Sequence, residues 1–172
     1  MAGIMTVGLV VPAVALLVYA ALHDLAARTV PNWLSIALLV IGILLRLLDH
    51  SLPVALAVSA GAFALLFVLW VLGAMGGGDV KLWAATVMLI PPGWAPDLAF
   101  FTRVVMFGGL LAVVYLALSV VTPRLPKVAG HNWFLRCLRA ELWRIGRRGP
   151  LPYACAIAGG AVTVLWPSSF PY

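Results

Sequence analysis

Residues 53–85, "PVALAVSAGAFALLFVLWVLGAMGGGDVKLWAA", decide what kind of fold this chain can adopt. Residues 53–75 carry no charge, and a helix of that length covers a hydrocarbon core about 30 Å thick. The run ends in three glycines and Asp79, a carboxylate on flexible backbone between apolar segments.

Working outward, the same texture fills the chain. Hydrophobic residues make up 65% and charged residues 9% of its 172 positions, against about 45–50% and about 25% in soluble domains. The bilayer is therefore the solvent. Apolar stretches at 4–22, 31–48, 53–75, 97–122 and 151–167 are each bounded by Pro, Gly or charge. Pro31, Pro53 and Pro152 stand where a first-turn proline costs no hydrogen bond and mark helix starts. The first run lacks a basic n-region and exceeds a signal-peptide core, so it is expected to be a retained span.

A shorter helical segment, Val80 to about Ile90, is either a sixth span or a re-entrant piece before Pro91-Pro92. If it crosses, nine of the eleven Lys and Arg fall on one side, which the positive-inside rule slightly favours. The expectation is an all-α, polytopic membrane helical bundle of about six transmembrane helices, a single domain over 1–172. In it, the loops at 23–30, 73–79 and 123–150 face the cytoplasm.

The polar segment 123–150 is strongly basic. Within it Phe134, Leu138, Leu142 and Ile145 recur at helical spacing, with Arg136, Arg139 and Arg147 elsewhere on the wheel. This reads as an amphipathic helix at the headgroups of anionic lipids, serving as a topology anchor or touching substrate. Glu141 falls close to the apolar stripe, with Arg144 in reach three residues on. Membrane topology already accounts for the net charge of +6, so no nucleic-acid partner is expected. Cys137 and Cys155 lack metal-ligand or C-x-x-C spacing and read as small apolar filler; no metal and no cofactor are expected.

Of the five acids, Asp49 and Asp97 fall in short outward loops. Asp24 and Asp79 each terminate an apolar run on the same expected side, where a carboxylate is costly and marks function. Taken singly, Asp79 could be a helix N-cap and Asp24 an ordinary loop acid. Their surroundings are more specific: "HDLAARTVPNW" (23–33) sets Asp24 ahead of Arg28 and Val30-Pro31-Asn32, and "MGGGDVKLWAA" (75–85) sets Gly76-x-Gly78-Asp79 ahead of Lys81-Leu82.

These motifs, with "LPYACAIAGG" (151–160) opening the last helix, resemble the prepilin peptidases, membrane aspartic proteases with a GxGD motif. The resemblance implies an aspartic endopeptidase that cuts the short basic leader ahead of a prepilin's apolar helix. Asp24 and Asp79 would be its catalytic pair, in a bacterial inner membrane with the site facing the cytoplasm. Such a dyad shares one proton, one carboxyl polarising the carbonyl while the other takes a proton from water. Gly76, Gly77 and Gly78 would give backbone freedom and close access for an extended substrate. Lys81 and Arg28 would hold the dyad's charge or reach toward lipid phosphates, and Pro31 and Asn32 would help shape the site.

The short form is similar to the peptidases of tight-adherence pili, which process Flp-type pilins. With the first span near Met1 and no cysteine pairs, the N-methyltransferase activity of longer members is not expected. Three other readings are open: a presenilin-like intramembrane protease, a proton-relay or transport subunit, and a pilus-assembly or other structural membrane subunit.

Overall fold

The computed structural model describes residues 2–121, 133–147 and 151–165. They form seven helices: α1 (Ala2–Ala27), α2 (Asn32–Leu48), α3 (Leu52–Val71), α4 (Gly77–Val87), α5 (Trp94–Val121), α6 (Trp133–Gly146) and α7 (Tyr153–Leu165). No strand occurs among the described residues. The chain is an all-α, polytopic membrane helical bundle.

Three helices, α1 from Thr6 onward, α3 and α5, are long and apolar enough to cross a bilayer by length and composition, while α2 and α7 are apolar but shorter. Their outward faces carry large apolar side chains such as Val11, Leu65 and Val113, as contact with lipid tails requires. α4 has only 11 residues, about 16 Å at 1.5 Å per residue. It packs against α2, α3 and α7, and every residue from Leu82 to Val87 is buried. Protein, rather than lipid, surrounds this shortest helix.

Small residues set the packing distances around it. A Cβ on Gly42 of α2 would lie 2.6 Å from Met88 Cβ, and one on Gly160 of α7 would lie 2.6 Å from Val104 Cγ2 of α5. Only glycine lets these backbones approach so closely.

Several helix ends differ from the sequence expectation. α3 stops at Val71 although apolar residues continue to Met75. Gly73, at φ +74°, donates to Trp70 O at 2.9 Å, and Ala74 donates to Leu69 O at 2.9 Å, a glycine-centred C-terminal motif that closes the helix. α5 begins at Trp94 rather than 97, and the Asp97 carboxylate accepts the Gly93 N–H at 3.0 Å, so this acid belongs to a helix start. α4 begins at Gly77, which puts Asp79 inside its first turn and not at the N-cap; Gly76 occupies that position.

The expected amphipathic helix is present as α6. Residues 123–132 and 148–150 of the basic segment, and the side chains of Phe134, Arg136, Cys137 and Leu138, lie outside the described residues, as do positions 166–167 of the last expected span. Among the described residues of α6, Glu141 and Ile145 are buried, because the helix packs against α1 and α5.

Candidate active site

The C-terminal end of α1 and the N-terminal ends of α2, α4 and α7 meet at one end of the bundle. Asp24, in the last turn of α1, is 5% exposed, and its Oδ2 accepts the backbone N–H of Ala154 at 3.3 Å. That N–H is one of the first-turn donors of α7 that have no partner within the helix. Such an end carries partial positive charge, so it compensates a buried carboxylate. This gives the 151–160 motif a physical role: Pro152 is buried just before α7 and sets the helix start against Asp24.

Asp79 is half-buried in the first turn of α4. The glycines before it are needed for space rather than for unusual dihedrals, which corrects the flexibility half of the sequence reading. Gly76 has an ordinary extended backbone, φ −72° and ψ 141°, and Gly73 is the one glycine with positive φ among the described residues. A Cβ on Gly76 would lie 2.8 Å from Asp79 Oδ2, and one on Gly78 would lie 3.3 Å from Val30 Cβ. Gly78 thus lets the first turn of α4 rest on Val30, in the connection between α1 and α2.

Asp24 and Asp79 line a common cavity of about 300 Å³ with Arg28, Asn32, Lys81 and the three glycines. The two carboxylates are within electrostatic reach of one another. Lys81 Nζ donates to Asn32 Oδ1 at 3.2 Å, tying α4 to α2 at the cavity wall. Pro31 does not line the cavity; it is the N-cap residue of α2 and aims Asn32. Among the described residues no cluster of three or more His, Cys, Asp or Glu side chains is arranged to hold a metal ion.

Arg28 takes a partner that sequence reasoning missed. Its guanidinium pairs with Glu141 of α6, donates to Tyr115 Oη of α5 at 3.3 Å and lies over the Tyr115 ring. Tyr115 Oη also donates to Glu141. Burial lowers the Arg28 pKa from its ordinary value, and the nearby Tyr115 and Asp24 oppose that shift. Arg28 has φ +56°, a conformation that costs a non-glycine residue about 1–2 kcal/mol. Glycine is common just past a helix end, so an arginine there stands against the local preference. The signal for Glu141 was its place near the apolar stripe of α6; local spacing pointed to Arg144 alone.

A larger apolar groove of about 510 Å³ lies between α2, α3 and α4. Asn32 and Lys81 line both this groove and the cavity of the two aspartates, so the spaces adjoin. Ala60, Ala84 and Ala85 contribute small side chains to its wall.

A membrane bundle in which two helices bring carboxylates to one cavity defines a class of candidate hydrolases. The sequence matches the model of the type IV leader peptidase family over residues 12–120, and the chain belongs to that family. The match includes Asp24 and Asp79 and ends before α6 and α7. Among curated relatives, the chain is 39% identical over 80 residues to the prepilin peptidase EppA of the archaeon Methanothermobacter thermautotrophicus. That alignment covers 42% of this chain and 21% of the relative. No solved structure matches the chain.

Proposed function

We propose that this chain is a membrane aspartic endopeptidase that removes the basic leader of prepilins, with Asp24 and Asp79 as the water-activating pair. The observation that carries the reading is that carboxylates from α1 and α4 line one cavity in a member of the leader peptidase family.

The two groups share one proton. The ionised carboxylate takes a proton from water as the water oxygen bonds to the scissile carbonyl carbon, and the protonated partner donates to the carbonyl oxygen. Collapse of the tetrahedral species breaks the C–N bond, and the leaving nitrogen takes up the proton gained from water. Asn32 and Lys81 would orient the extended leader, and the adjoining groove would receive the substrate's apolar helix. The Arg- and Lys-rich loops favour a cytoplasmic site. Flp-type prepilins in a bacterial inner membrane are the first substrates to test, and the archaeal relative adds archaeal prepilins to them.

Co-expression with an Flp-type prepilin tests the reading by gel shift. Wild type should shorten the substrate, and Asp24→Asn and Asp79→Asn, present in the membrane at equal amounts, should leave it intact. Processing by either variant at the wild-type rate would contradict the proposal.

A further inference from the structure

The family match ends before α6, yet α6 touches the cavity wall through Glu141, which pairs with Arg28, and grips the end of α1 through Arg144. Glu141, 8% exposed, holds Arg28 with one carboxylate oxygen and accepts from Arg144 Nη1 at 2.8 Å with the other. Arg144 in turn donates to Leu25 O at 2.9 Å and Ala26 O at 3.2 Å. Those carbonyls belong to the last turn of α1, the turn that carries Asp24, where a cation is favourable. Arg28 lines the cavity and acts electrostatically on both aspartates.

We propose that Glu141 is a positioning residue for the aspartate pair: by clamping Arg28 against Tyr115 it fixes a positive charge in the wall of their cavity. The assignment of Asp24 and Asp79 as the working pair rests on the function proposed above. The charge placement does not require turnover and can be read without it. Other groups facing the pair are His23 of α1, Lys81 of α4, Tyr115 of α5, Arg144 of α6 and Cys155 of α7.

A fixed cation favours the ionised form of a nearby carboxyl, so releasing Arg28 lets the pair keep its proton to higher pH. Dicyclohexylcarbodiimide adds to protonated carboxyl groups, and mass spectrometry of the labelled full-length protein across pH gives a midpoint for Asp24 and Asp79. Relative to wild type, Arg28→Gln should move that midpoint up by about one pH unit. Glu141→Gln should move it in the same direction, with no further shift in the double variant, because one acts through the other. Tyr115→Phe, which leaves every charge in place, should give a smaller upward shift, and Glu141→Asp should return the midpoint toward wild type.

A midpoint unmoved by both Glu141→Gln and Tyr115→Phe, with only thermal stability lowered, would show that the contact merely fastens α6 and would overturn the proposal. A downward shift in Glu141→Gln would also overturn it, since Glu141 would then act by its own charge. If the labelling shifts upward but wild type leaves prepilins uncut, the peptidase reading fails and the charge placement stands.

Discussion

The Oδ2 atom of Asp24 accepts the Ala154 backbone N–H at 3.3 Å, joining the end of α1 to the beginning of α7. Asparagine preserves an acceptor at that position, whereas alanine leaves a buried N–H without one. Asp24→Asn should therefore unfold at nearly the wild-type temperature. Asp24→Ala should lose about 1–3 kcal/mol, the cost of an unsatisfied buried donor. Thermal unfolding of the detergent-solubilised variants checks the difference, and equal losses would remove this bond from the account.

Contacts around the glycines before Asp79 make separable predictions. Gly78→Ala places a methyl group against the Val30 Cβ, and the second substitution Val30→Gly, which removes that atom, should restore the space. Gly76→Ala places its methyl against the Asp79 carboxylate itself, which must turn. Both single variants should lower the initial cleavage rate at least about tenfold, as misplacement of a reacting group does. Only the Gly78→Ala loss should be recovered by Val30→Gly.

The groove between α2, α3 and α4 can be filled without touching the aspartates. Ala60→Trp should raise KM for a membrane-inserted prepilin severalfold with little change in kcat, the pattern of lost uniform binding. Val105→Trp, in a separate groove between α3 and α5, should leave both constants unchanged and serves as the control.

A pair sharing one proton should give a bell-shaped pH dependence of kcat/KM. Activity falls at low pH as both groups become protonated, and at high pH as both become ionised. A rate that rises to a plateau with no basic limb would point to a single carboxylate.

Much of the architecture was legible because apolar runs in a membrane protein have few alternatives to helices. Helix ends were less so: apolarity continues past Val71, and the stop depends on the dihedral of Gly73. Asp24 and Asp79 stood out because each follows an apolar run and is surrounded by a dense local motif. Tyr115 and Arg144 carry no such signal as parts of the site, Glu141 only its place near the apolar stripe of α6, and Ala154 only its place in the 151–160 motif. Their contacts with the end of α1 join residues far apart in the chain, and helix packing decides them. The glycines were legible as a requirement, but whether for dihedral freedom or for space depended on where Val30 and the Asp79 carboxylate lie.

Hydrolysis of a purified Flp-type prepilin by the reconstituted protein in ¹⁸O-labelled water tests the central claim most directly. Mass spectrometry of the released leader should show one ¹⁸O atom at its new C-terminus with wild type, and no leader should be released by Asp24→Asn or Asp79→Asn. Release of labelled leader by either variant at the wild-type rate would contradict the assignment of Asp24 and Asp79 as the pair that activates water.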